Sequence, residues 1–488
     1  MNIKITLKYL GYLLAIEGAF MFPAMMIALF CGERTALTGF AVTAVILLAI
    51  GVPLSFLKEA NPTLYAKDGF FIVALSWIVV SLFGAMPFSI SGAIPSYVDA
   101  FFETVSGFTT TGASILTEIE SLPKSILYWR SFTHWLGGMG VLVFILAIIP
   151  KSAGSGVSLH ILRAESPGPV VGKLVPKMRS TARILYAIYI AMTVLELFFL
   201  LIGGMPLFDA VTVSFGTAGT GGFAITNNSI AAYDSYYLQG VITVFMLLFS
   251  VNFNIYYLLL SREFRAAYKD TELRVFLGIV CVSVLAIAVN IWHTGQALCE
   301  TFFGALHHSA FQVATIVSTT GFATTDFNQW PAFSKMILLL LMFIGASAGS
   351  TGGGMKVSRV IILAKSILSE IKKLIHPNSI KLVRVSGKVV SPDVVHSVNG
   401  YFAVYIALIA LSTLCLSIDN FNFETTFSAV VACFNNIGPG FDMVGAAGNY
   451  SAFSSFGKLV LCADMLLGRL EIFPILLLFS PSLWRRTK

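Results

Sequence analysis

The sequence predicts an all-α membrane protein with ten transmembrane helices. Eight of them form four repeats of span, pore helix, filter turn and span around one pore, and the other two are an extra N-terminal helix pair. Three observations predict this. Of the 488 residues, 57% are hydrophobic and 11% charged, whereas soluble proteins carry about a quarter of charged residues. Apolar runs long enough to cross a bilayer core of about 30 Å recur along the whole chain. Between them stand four Gly-rich turns at similar intervals.

The expected spans are 8–31, 36–57, 69–91, 127–149, 184–203, 236–260, 275–293, 335–363, 396–417 and 456–480. The first is too long, and too closely followed by a second, to be a cleaved signal peptide. Ten crossings return the C-terminus to the side of the N-terminus. With both termini cytoplasmic, 25 of the 31 Lys and Arg fall in cytoplasmic loops, six of them between Lys151 and Arg183 and eight between Lys356 and Lys388. That is the bias of the positive-inside rule. The net charge of +7 is therefore a topology signal and not a nucleic-acid footprint. A basic docking face for a cytoplasmic partner is its other possible use. Cys31, Cys281, Cys299, Cys415, Cys433 and Cys462 form no CxxC pair and are expected as small buried hydrophobes.

The turns read GFTTTGAS at 107–114, GTAGTGGFA at 216–224, VSTTGFATTD at 317–326 and FNNIGPGFD at 434–442. Each follows an apolar, helix-competent stretch of about a dozen residues and lies away from the basic loops. Aligning Gly112, Gly222, Gly321 and Gly438 leaves gaps of 110, 99 and 117 residues, as one duplicated unit with variable loops would. In repeat two, Gly222 is preferred to Gly221 because, like Gly321, it is followed by Phe. The units expected are the helix pair 1–60 and the pore repeats 61–150, 151–262 (with a cytoplasmic loop), 263–375 and 376–488.

Non-helical backbone at membrane depth is tolerated only where it is buried in protein or lines water. A short helix followed by a Gly turn meets that condition as an ion filter, whose carbonyls substitute for a hydration shell. The candidate filter residues are Thr110, Thr111, Gly112, Thr220, Gly221, Gly222, Thr319, Thr320, Gly321, Asn436, Ile437 and Gly438. No acid stands in the glycine column or just before it, which favours a monovalent cation over a divalent one. Asp99, Glu103, Asp209, Glu300, Glu424 and Asp442 lie nearby. They either attract cations at the outer mouth or simply complement the pore-helix dipoles.

The run Gly345, Ala346, Ser347, Ala348, Gly349, Ser350, Thr351, Gly352, Gly353, Gly354, ending at Lys356, has five glycines in ten residues, each costing a helix about 1 kcal/mol relative to Ala. It is expected to break the helix below the filter as a gating loop that partly occludes the pore. The alternative is a helix-packing motif, because Gly345, Gly349 and Gly353 recur every fourth residue. Its literal GxSxG around Ser347 lacks the preceding strand of a hydrolase elbow, and no enzyme activity is expected. Arg469, central in the last span, is expected to face the pore as a barrier to cations or to pair with another helix. Its neighbours Asp464 and Glu471 have the wrong spacing for a same-helix bridge.

Together these residues resemble the TrkH/TrkG family of bacterial potassium-uptake proteins, within the Trk/Ktr/HKT superfamily, over essentially the whole chain. The N-terminal pair is a TrkH-like feature. The resemblance implies a gated, channel-like potassium-translocating subunit of the bacterial cell inner membrane, with Gly112 marking potassium selectivity. It also implies a homodimer and a cytosolic ring of Rossmann-type regulatory subunits that bind nucleotide (NAD or ATP/ADP). Potassium is then the transported ion, and the only cofactor is nucleotide held by that separate subunit. Membrane lipid is the other partner, and no nucleic acid is expected. The runner-up is a secondary transporter coupling potassium to protons or sodium, with Glu17 and Glu196 as candidate coupling groups.

Overall fold

The computed structural model describes residues 3–57, 66–140, 178–295, 301–377 and 382–481. Residues 141–149 of the fourth expected span, most of the basic 151–183 loop, Cys299, Glu300 and the basic C-terminal tail fall outside them, as do the expected boundaries at 60/61 and 150/151.

Among the described residues the regular structure is helical except for one two-stranded hairpin, Arg384–Val385 (β1) and Lys388–Val389 (β2). The N-terminal pair is α1 (Ile3–Phe20), α2 (Phe22–Cys31) and α3 (Arg34–Ser55). α1 and α2 together make one span of 29 residues. The Glu33 carboxylate between α2 and α3 accepts from the amides of Lys124 (2.7 Å) and Ser125 (3.1 Å). The pair is thereby tied to the N-terminus of α7, where a negative charge is favoured.

Four times the chain then runs through a long helix, a short helix, a Gly turn and a returning helix. The first unit has α4 (Ala66–Gly84) with α5 (Met86–Ile90), α6 (Tyr97–Phe108) and α7 (Lys124–Gly138). The second has α8 (Met178–Ile202), α9 (Leu207–Gly219), α10 (Tyr236–Ser250) and α11 (Phe253–Leu260), followed by α12 (Phe264–Tyr268). The third has α13 (Thr271–His293), α14 (Phe302–Val317), α15 (Ala332–Ile344) and α16 (Val357–Ile375). The fourth has α17 (Pro392–Leu416), α18 (Phe423–Phe434), α19 (Ser455–Arg469) and α20 (Phe473–Leu478).

The short helices α6, α9, α14 and α18 span only 12 to 16 residues, too few to cross a bilayer. Ser96, Thr301 and Asn422 cap three of them through their side chains, satisfying amides that would otherwise be unpaired. Of the nearby acids, Asp99, Asp209 and Glu424 stand in first turns, where their charge complements the helix dipole.

Several of the expected spans are interrupted. Among the described residues six helices are long and apolar enough to cross a membrane, or seven if one bent pair counts as a span. Residues 141–149 of the fourth expected span lie outside the described residues, and the rest of the difference lies in breaks of the returning helices. α10 and α11 meet at 91°, α15 stops at Ile344 before the Gly-rich run, and α19 stops at Arg469 before α20 resumes at Phe473. Hydropathy is blind to the breaks after α10 and α19, because apolar residues continue around them, whereas the glycines after α15 announce the break there. The cysteine expectation also needs correction. Cys433 and Cys462 are buried, but Cys31 and Cys281 are exposed on the helix surface, which in an apolar span faces lipid and not a protein core.

Candidate ion-conduction site

Each short helix ends in the same way. The amides of Thr111, Gly221, Thr320 and Ile437 donate to the carbonyls of Ser106, Gly216, Thr315 and Ala432, at 2.8–2.9 Å. The preceding amides of Thr110, Thr220, Thr319 and Asn436 reach Gly107, Thr217, Ile316 and Cys433 at 3.0–3.2 Å. This pair of bonds is a Schellman closure, which needs a left-handed residue after the cap. Thr110, Thr220, Thr319 and Asn436 take that conformation, with φ of 54–59°, although glycine is the usual occupant. For a non-glycine residue this costs about 1 kcal/mol or more, and here it recurs four times in register.

Two residues later Gly112, Gly222, Gly321 and Gly438 have φ of 75–93°. Gly221 is not among the left-handed residues; it fills the place of Thr111, Thr320 and Ile437, where a side chain would run into the His134 ring. The four glycines also close a ring. A Cβ at Gly112 would strike the Gly221 carbonyl, one at Gly222 the Thr320 carbonyl, one at Gly321 the Ile437 carbonyl and one at Gly438 the Thr111 carbonyl. Every turn thus packs its glycine against a carbonyl of the next, and the fourth meets the first. All four glycines line one open cavity of about 120 Å³, together with Ser114, Asn227, Asn449 and Tyr450.

Behind the turns lie residues that no motif announced. Arg130 on α7 donates from Nε to Glu103 Oε1 (2.6 Å) and from Nη1 to Ala224 O (2.9 Å), and its guanidinium sits 3.9 Å from the Phe223 ring centre. Glu103 also accepts from the Ser114 hydroxyl and the Ile115 amide, both at 3.0 Å. This buried pair therefore ties the first turn to the second. His134 accepts from the Phe223 amide at Nε2 (3.2 Å), so its Nδ1 carries the proton and donates to Gly107 O (2.8 Å). Only the neutral ring satisfies both bonds. The available signal was the intramembrane charge itself, since Arg130 stands inside an apolar run. At the fourth turn, the Tyr450 hydroxyl donates to Gly438 O (2.6 Å) and Asn436 Nδ2 to Thr111 Oγ1 (3.0 Å).

Against the ends of the short helices the 345–356 segment is an irregular loop between α15 and α16. Ala346, Ser347, Ala348 and Thr351 are buried. The Gly353 amide donates to Thr319 Oγ1 (2.6 Å), the Ser347 amide to Ser250 O (3.1 Å), and Gly349 O accepts from the Phe253 amide (3.0 Å). The break between α10 and α11 is thus bonded to the loop. Gly345 is buried, Ser350 is half-buried, and Gly354 packs against Gly345. Lys356 is buried and turned back, its ammonium donating to Gly352 O. The helix-packing alternative for Gly345, Gly349 and Gly353 does not apply, because these residues are not helical.

Arg469 ends α19 just below the turns. Its guanidinium donates to Thr110 Oγ1 (3.2 Å), Thr351 O (2.9 Å), Gly138 O (2.8 Å) and Gly137 O. It therefore caps the C-terminal carbonyls of α7, touches the first turn and holds the loop. Glu471 pairs instead with Arg359, and Asp464 accepts from the Ser412 hydroxyl (2.6 Å). The partners of Arg469 among the described residues thus include a threonine hydroxyl and a set of backbone carbonyls.

A family model described as a cation transport protein, TrkH, matches residues 37–486. The Trk system potassium uptake protein TrkH of Salmonella typhimurium is 35% identical over 99% of this chain and 100% of its own length. The TrkH of Halomonas elongata is 36% identical over 100% of both, and the TrkG of Escherichia coli 34% over 99% of both. The crystal structure of the potassium transporter TrkH from Vibrio parahaemolyticus superposes with a TM-score of 0.88 at 34% identity, covering 99% of this chain and 100% of that one. The chain is a multi-pass membrane protein and no enzyme: it belongs to the TrkH family of cation transport proteins.

Proposed function

We propose that the chain is the potassium-translocating subunit of a bacterial uptake system and conducts the ion passively, as a gated channel-like path. One observation carries this: the four Gly turns form a closed ring in which equivalent residues share the same left-handed conformations and all four glycines face one cavity. Four similar turns at the C-terminal, partly negative ends of short helices favour a cation. A ring of uncharged carbonyls suits one that must also leave. The twelve turn residues named above hold the ion in this reading, the 345–356 loop gates it, and Arg469 limits its passage. Potassium uptake by the named relatives supports the choice of ion.

The same reading puts both termini on the cytoplasmic side of the inner membrane and divides the chain into the helix pair and four pore repeats. A homodimer and a separate nucleotide-binding regulatory ring complete the system. Purified protein in liposomes tests the central claim. With potassium and sodium gradients set separately, the reversal potential follows potassium alone at two pH values. A potential that moves with the proton or sodium gradient would establish coupled transport instead. In that case Glu17 and Glu196, whose buried carboxylates lack hydrogen-bond partners by geometry, are the groups to examine.

A further inference from the structure

The loop is held from the cytoplasmic side by an acid that belongs to no motif. Glu272, in the first turn of α13, is buried, and its Oε1 accepts from the Ala348 amide (2.7 Å) and the Ser358 amide (3.1 Å). One carboxylate oxygen thus fixes both the middle of the loop and the start of the helix that leaves it.

The same turn of α13 is gripped by the cytoplasmic hairpin. β1 and β2 pair as Arg384 with Val389 and Val385 with Lys388. Ser386 and Gly387 between them have φ of 48° and 75°, as a two-residue type I′ turn requires. The exposed tip residue Ser386 donates from its amide to Thr271 Oγ1 (3.1 Å) and from its hydroxyl to Asp270 Oδ2 (3.1 Å). The hydroxyl in turn accepts from the Thr271 amide (3.0 Å). The base of the hairpin is fastened to α16. Lys365 Nζ donates to Arg384 O (2.7 Å), and Val383 and Val385 pack on a cluster of Ile362, Val390 and Val398.

The contacts therefore form a closed circuit: loop, α16, hairpin, the first turn of α13 and, through Glu272, the loop again. We propose that Ser386 and Glu272 are the two ends of a clasp that keeps the 345–356 loop in its occluding position, so that leaving this position requires the hairpin tip to release α13. Glu272 is a positioning residue here; it touches the loop and not the ion. The proposal rests on the reading of the loop as a gate.

The test is recording from the full-length protein in planar bilayers with S386A, E272Q and the double variant. S386A removes the two bonds made by the hydroxyl at an exposed position and raises open probability about two- to tenfold. E272Q, with a neutral acceptor, raises it at least as much. The double variant exceeds E272Q by less than the S386A factor, because residues in one circuit do not act independently. Unitary conductance and reversal potential stay as in the unmodified protein. Unchanged open probability in S386A, or effects that simply multiply, overturns the clasp. Should E272Q fail to assemble, S386A and T271V decide on their own, since T271V removes the acceptor for the Ser386 amide. If the unmodified protein's reversal potential does not follow potassium, the conduction reading fails. If it does and open probability stays put, the clasp alone fails.

Discussion

The Gly353 amide donates to the Thr319 hydroxyl over 2.6 Å, so the Gly-rich loop hangs directly from the underside of the third turn. Thr319 is also one of the four left-handed residues that close the short helices. A change of loop position is therefore felt at the turn itself. At the fourth turn the fit is as close: a methyl group on Gly353 would lie 2.5 Å from Asn435 O.

That fit leads to the first prediction. Gly353→Ala forces the loop away from the fourth turn and raises potassium flux several-fold, with selectivity retained. Flux into liposomes from the purified variant measures it. An unchanged flux would count against the loop as a gate.

Arg469 places a fixed positive charge beside Thr110 (3.2 Å), below the glycine ring. At a separation of several ångströms and an effective dielectric constant between protein and water, its repulsion of a passing cation is about 1 kcal/mol. Arg469→Gln therefore increases unitary conductance on the order of fivefold. The amide can still donate to part of the carbonyl set, so folding is retained. Reduced conductance in a well-folded variant would remove the barrier role.

Gly112 stands where a side chain would strike the Gly221 carbonyl, and its φ of 79° strains any other residue by about 1–2 kcal/mol. Gly112→Ser thus distorts the ring at one contact. The potassium-to-sodium permeability ratio falls on the order of tenfold, equivalent to about 1.4 kcal/mol, read from bi-ionic reversal potentials. A ratio that does not change means that the ring does not select.

The buried pair Arg130–Glu103 joins two turns, and breaking such a pair from one side leaves an uncompensated charge. Arg130→Ala lowers stability by about 3 kcal/mol, seen as a lower unfolding temperature in detergent. A loss no larger than that of a typical surface substitution would show that the pair is dispensable.

Asp442, at the end of the fourth turn, is a titratable group whose behaviour can be forecast. Hydrogen bonds from the Thr425 hydroxyl and then from Asn422 hold its carboxyl below the usual 3.8. A carboxyl with a depressed folded pKa contributes stability above its unfolded pKa and loses it as pH falls through the folded one. Lowering external pH from about 7 to about 5 therefore leaves this contact intact, and Asp442→Asn does not alter the flux profile over that window. An acid inhibition in that range that Asp442→Asn abolishes would contradict this.

The apolar runs, the four turns and the helix-breaking loop were legible because their causes are local. Length and hydropathy set a span, and the left-handed dihedrals at Gly112, Gly222, Gly321 and Gly438 are a demand that glycine meets at least cost. Even the choice of Gly222 over Gly221 rested on the residue that follows. The breaks in α10–α11 and α19–α20 were hidden, because apolar sequence runs through them and the breaking interactions come from elsewhere, as when Phe253 donates to Gly349. Arg130 and Glu272 were missed for the same reason, and so was the partner of Glu103. A charged side chain in an apolar run announces only that it needs a partner, and which face meets which is settled by packing. Sequence by itself thus determined the membrane class, the fourfold recurrence and the glycines. Tertiary structure alone decided that the turns close into a ring, that Arg469 caps the last carbonyls of α7, and that Glu272 holds the loop, because these depend on distances between residues far apart along the chain.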